Sequence, residues 1–160
     1  MNPEMKIIRE VSIQAENFYN DAVKLGDHAA IALRREHRSQ MTGLENIAES
    51  TLKISDVFDY IKRQTARFPD WRSPAPGQES LGGFGERLKN YLEKELKKKL
   101  ESICSAKGLN IGDTTDEEKQ ERRRVHLLLI RQFIRQMVVE YEYQVSLGQG
   151  SRNSRRREAE

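Results

Sequence analysis

The sequence predicts an all-α fold: a single bundle of about five amphipathic helices, interrupted by a long central Pro- and Gly-rich loop and followed by a basic tail. Three observations lead there. Apolar residues recur at three-and-four spacing through five segments, and no segment shows the alternation of β-branched residues that marks a strand. With 36% hydrophobic and 33% charged residues, the apolar side chains have to be gathered into stripes if they are to meet in a core. At 160 residues the chain fits one domain that needs no disulfide or metal staple, read as a bundle over residues 1–147 and a disordered basic tail over 148–160.

The first helix is expected from Pro3 to Leu25, on Ile8, Val11, Ala15, Phe18, Ala22 and Leu25. Pro3 suits a first turn, where its missing N–H costs no bond, and Gly26 reads as a left-handed C-cap. A short helix follows from Asp27 to His37, ending in the run Arg34, Arg35, His37, Arg38. Thr42 with Glu45 has the spacing of a capping box and would start a long helix to Arg67, with Leu44, Ile47, Ala48, Thr51, Ile54, Val57, Phe58 and Ile61 on its apolar face.

From Phe68 to Gly85 three prolines and four glycines exclude a helix and mark the principal loop. Trp71, the only tryptophan, either pins this loop to the core or offers a stacking surface, and pinning is the preferred reading. The next helix, Glu86 to Ala106, carries Leu88, Leu92, Leu96, Leu100 and Ile103 on one face, and Gly108 ends it. Thr114 with Glu117 offers a second capping box for a last helix from Asp116 to Val145. Its stripe of Val125, Leu128, Leu129, Phe133, Met137, Val138 and Tyr141 is widened by Leu127, Ile130, Ile134 and Val139, as expected of a central helix touched by several neighbours.

Charge patterning directs the functional reading. The net charge is only +3, yet the cations are clustered, at Arg34, Arg35 and Arg38, at Lys97, Lys98 and Lys99, at Arg122, Arg123 and Arg124, and at Arg155, Arg156 and Arg157. Such clusters attract polyanions, or serve as solvated faces that keep a protein soluble. The residues singled out for nucleic-acid contact are Arg34, Arg35, Arg38, Lys62, Arg63, Arg67, Arg124, Arg131 and Arg135, which would line a track if their helices pack side by side.

Catalytic chemistry finds little purchase. His28, His37 and His126 lack metal-ligand spacing, and Cys104 stands alone without an identifiable base. Asp56, Asp59 and Glu49 sit at helical spacing but no second carboxylate motif accompanies them. Gly82, Gly83 and Gly85 lack the strand and the Lys-Ser/Thr pair of a phosphate-binding loop. No enzyme activity, metal or cofactor is expected. One cysteine, a charged N-terminal stretch and no long apolar run give the expectation of a cytoplasmic protein that neither crosses nor enters a membrane.

Two stretches resemble a known family. Arg38, Ser39, Gln40 and Met41, continuing through Leu44, Glu45 and Ile47 to Val57, Tyr60 and Ile61, are similar to the first helix of the small helical subunits of type III CRISPR surveillance complexes. Ile130 to Tyr143, with Phe133, Met137, Val138, Val139 and Tyr141, resembles the aromatic C-terminal helix of the same subunits. The resemblance implies a non-catalytic backbone subunit whose stacked copies hold guide RNA, target RNA or single-stranded DNA. The residues alone leave a second expectation open, a helical adaptor that docks a protein partner.

Overall fold

A computed structural model describes residues 2–159, with side chains described through 148. The all-α expectation holds, with no strand among the described residues, and the helices are α1 (Pro3–Asn17), α2 (Tyr19–Leu33), α3 (Arg38–Ser50), α4 (Ile54–Arg67), α5 (Phe84–Asn90), α6 (Leu96–Cys104) and α7 (Asp116–Ala159). The anticipated disordered tail over 148–160 falls outside the residues described in full. α7 is the axis, packed against α1, α2, α3, α4 and α6. Burial of Leu127, Ile130 and Ile134 beside Val125, Leu129, Phe133 and Met137 follows from having neighbours on several sides, whereas Val139 faces outward.

α1 begins as its sequence requires, with Asn2 Oδ1 accepting from Met5 N at 2.8 Å and Pro3 in the first turn. Its buried face is Ile7, Val11 and Ala15, so Ile8, expected inside, is exposed. The rod from Pro3 bends at Phe18, whose backbone leaves helical geometry at φ −97°, ψ 5°. Phe18 is fully buried there, edge-on to Phe133 at 5.5 Å. Gly26 does not end a helix: α2 runs through it to Leu33. A Cβ at Gly26 would stand 2.7 Å from Glu140 Cβ and from Met137 O, so the glycine lets α2 and α7 approach closely. α2 ends at Arg34, held at φ 53°, ψ −161°, a region that costs a non-glycine residue about 1–3 kcal/mol.

α3 starts at Arg38, which puts Thr42 and Glu45 inside the helix and removes the expected capping box. The predicted single helix to Arg67 is divided at Thr51–Lys53. Thr51 Oγ1 accepts from Lys53 N at 3.0 Å and donates to Asp56 Oδ2 at 2.6 Å, giving the chain a local alternative to helix. α3 and α4 then form an antiparallel hairpin, locked where Tyr60 donates to Gln40 O at 2.6 Å beside Gly43.

The stretch expected as one long loop is an ordered path. It has 3₁₀ turns at Pro69–Arg72 and Glu79–Leu81, and a bridge closes Pro74 onto Gly83. Trp71 is the pin: fully buried, it packs on Phe84 at 5.2 Å and donates Nε1–H to Gln40 Oε1 at 2.6 Å. α5 and α6 are one rod joined by a π-helical turn over Tyr91–Glu95. Leu88, Leu92, Leu96 and Leu100 repeat every four residues, a period that drifts by roughly 40° per step on an ideal 3.6-residue helix. The wider π-turn corrects part of that drift and keeps all four leucines inside. His126 Nε2 donates to Leu92 O within this turn at 2.9 Å.

The second capping box exists, shifted by one residue. Thr115 Oγ1 accepts from Glu118 N and Glu118 Oε1 accepts from Thr115 N, both at 3.1 Å. The Thr115 N–H, followed by the Thr114 hydroxyl, holds the Glu118 carboxyl down at about 2.

Candidate functional site

The nine cations singled out from the sequence fall into two groups. Those on α7 are struts. Arg131, half-buried, donates Nε–H to Ala48 O at 2.8 Å and Nη2–H to Thr51 O at 2.7 Å, satisfying the carbonyl end of α3. Arg135 pairs with Glu49 of α3 at 2.6 Å. Arg124 pairs with Glu121 at 2.8 Å and reaches Glu4 at the start of α1 at 2.6 Å, and its side-chain bond to Glu121 raises its pKa further. Each of these three arginines, expected from the sequence to line a track, ties α7 to a neighbour or to itself in the structure.

Arg34 is also engaged, 3.8 Å from Asp70 and 3.6 Å from Glu36, and its carbonyl accepts from Tyr141 OH. Burial pushes that phenol up to about 12. Arg35 is exposed in the 3₁₀ turn Arg35–His37 and takes part in an interaction of its own. Arg38, Lys62, Arg63 and Arg67 are exposed, and their side chains make no hydrogen bond or ion pair among the described residues. By helical position Arg63 and Arg67 fall within roughly 60° of Tyr60 on α4 and Lys62 lies roughly 100° from Arg63, while the Arg38 charge acts on Tyr141 of α7.

The histidines have structural employment. His28 is buried, with Nε2 donating to Ser73 O at 2.9 Å and Nδ1 accepting from Arg87 at 3.2 Å. Burial lowers its pKa and that of His126. The same interface holds Tyr91, which donates to Asp21 at 2.6 Å and stacks on Phe133 at 4.5 Å. His37, Asp70 and Glu36 bring ligand-type atoms within 4.8 Å of one another, a grouping hidden from the sequence because Asp70 arrives from the distant 3₁₀ turn. The Arg34 guanidinium stands 3.6 and 3.8 Å from these two carboxylates, and His37 Nε2 bonds Asp70 Oδ2 at 2.8 Å, so the grouping is an ion-pair cluster of its own. Cys104 is buried, and burial pushes its thiol up, away from nucleophile chemistry.

Two surface features along α7 stand out beyond the cations singled out from the sequence. One is a stripe on α7 at four-residue intervals, Val139, Tyr143 and Leu147, exposed by 61%, 56% and 49%. The other is a groove of about 350 Å³ beside the α3–α4 junction, lined by Leu52, Gln120, Arg123, Arg124, Leu127, Leu128 and Arg131. The signal for the stripe was present in the excess apolar width of the last helix. The groove has no sequence signal, because Leu52 reaches it only through the break at Thr51.

No helix among the described residues is long and apolar enough to cross a membrane. No family model, no curated protein and no solved structure matches this chain.

Proposed function

We propose that this chain is a non-catalytic docking subunit of a larger assembly, engaging a protein neighbour through the outer face of α7. The observation that carries this reading is the Val139, Tyr143, Leu147 stripe. α7 spends its inner side and its arginines on holding α1, α2 and α3, yet keeps three large apolar side chains in water at helix-docking spacing. Tyr143 supplies the amphipathic aromatic that interfaces favour. The resemblance to small subunits of type III CRISPR complexes fits such a role, since stacked copies need a self-complementary or neighbour-binding helix face.

The test is sedimentation of the nuclease-treated native assembly, with the wild-type chain compared with Val139→Glu and Tyr143→Glu. The wild type should sediment with a stoichiometric protein partner or as stacked copies, and each variant should release as a folded monomer with an unchanged melting temperature. A wild-type monomer, or variants that remain assembled, contradicts the reading.

A second reading, nucleic-acid binding, is favoured by one specific observation: Arg38, Lys62, Arg63 and Arg67 carry charges that no acid among the described residues neutralises by direct contact. Phosphate neutralisation by several of them would make affinity for single-stranded RNA fall steeply with salt. An affinity that is flat across a few-fold rise in salt excludes it.

A further inference from the structure

We propose that the groove at the α3–α4 junction is a docking site for an acidic peptide segment carrying a bulky apolar side chain. The inference is independent of the α7 stripe, which lies farther along the helix. The groove combines two chemistries. Its apolar part is Leu52, which the Thr51 turn holds 91% exposed, with half-buried Leu128 and the buried Leu127 of α7 also in the lining. Its rim is cationic and incompletely neutralised. Arg123 is exposed and its side chain has no hydrogen-bond or ion-pair partner among the described residues. The Arg131 charge is met by two backbone carbonyls and no carboxylate, and only Arg124 is paired with acids.

Charge complementarity therefore selects the occupant. Carboxylates of an incoming segment meet Arg123 and Arg131, while one leucine, phenylalanine or tryptophan settles against Leu52, Leu127 and Leu128. A volume of about 350 Å³ suits one large side chain and its flanking backbone rather than a folded surface. A nucleic acid would use the arginines but gain little from a leucine lip that offers no aromatic platform.

The probe is a library of short random peptides displayed on phage and selected against the immobilised full chain. Enriched peptides are then measured by fluorescence anisotropy against wild type, Arg123→Glu and Leu52→Asp. Both positions are exposed, so unchanged melting curves verify that the variants fold. The expected result is enrichment of Asp or Glu around a Leu, Phe or Trp, with affinity reduced about tenfold or more by each substitution and weakened by salt. An empty selection, enriched peptides without acids, or binding indifferent to both substitutions overturns the proposal. So does a single-stranded oligonucleotide that binds more tightly than any peptide and loses affinity with Arg123→Glu but not with Leu52→Asp.

Discussion

Replacing Arg131 by methionine keeps the length and apolar stem of the side chain while deleting both hydrogen bonds to the end of α3. Nε–H to Ala48 O at 2.8 Å and Nη2–H to Thr51 O at 2.7 Å are charge-assisted, a class whose members contribute about 1.5–3 kcal/mol each when buried. Arg131 is only half-buried, so the two together should be discounted to about 2 kcal/mol of lost stability. For a domain of this size that lowers the melting temperature by roughly 4–8 °C. Circular dichroism melts and urea titrations read the change. Arg123→Met, on the same helix but without a partner, is the control and should stay within about 0.5 kcal/mol of wild type. Equal stability of the two variants would refute the division of the α7 arginines into struts and free charges. Charge reversal at Arg131 should consequently destabilise the fold, so it is unsuited as a pure binding probe.

Gly26→Ala discriminates two effects of opposite sign. Helix propensity alone would favour alanine by about 1 kcal/mol, whereas a Cβ 2.7 Å from Glu140 Cβ and Met137 O should cost about 1–3 kcal/mol, and a urea midpoint that rises contradicts the close helix contact. Asp27 has its pKa raised by burial and then by the charge of Glu140, and its Oδ1 is buried without a partner, so it weakens the fold once ionised. Asp27→Asn should melt higher than wild type at pH 7, with the advantage vanishing as the pH falls below the ordinary Asp value of 3.8. His28 and His126 are held neutral by burial, so the unfolded chain binds more protons below the ordinary value of 6.5. Their contribution to stability is present above that pH and is lost as pH falls from 6.5 toward and through their lowered folded values. A urea midpoint unchanged between pH 8 and about pH 5 in wild type, or equal slopes in wild type and a His28→Gln, His126→Gln double variant, contradicts this.

Much of the fold was legible because local chemistry and tertiary packing agree. The start of α1 at Pro3, the leucine face of the α5–α6 rod, and the broad stripe of α7 all read correctly. Trp71 as a pin followed from its size and its position among loop residues. The breaks at Phe18 and at Thr51–Lys53 were not legible, since no Gly or Pro lies at either and the apolar period passes through both. Gly26 misled for the opposite reason: a glycine that allows two helices to touch has the same sequence signature as one that ends a helix. Thr42 and Glu45 have capping-box spacing by coincidence, whereas the working box, Thr115 and Glu118, lies one residue beyond the expected pair.

The candidate site was less legible than the fold. Whether an arginine meets a polyanion or a carbonyl depends on partners far away in sequence, as Glu4 is from Arg124 and Ala48 is from Arg131. Composition and spacing find the cations but cannot say which are already occupied. The excess apolar width of the last helix hinted at the Val139, Tyr143, Leu147 stripe, but which of its residues stay in water, and that Arg123 is unpaired among the described residues, depends on neighbours distant in sequence.

A photo-crosslinker placed at Tyr143, and in a parallel chain at Arg63, tests the docking role most directly when each is irradiated in the native cells. The account predicts a discrete, nuclease-resistant protein adduct from position 143 and none of comparable yield from position 63. No adduct at 143 together with a nuclease-sensitive adduct at 63 would contradict it and assign the working surface to the cations of α4.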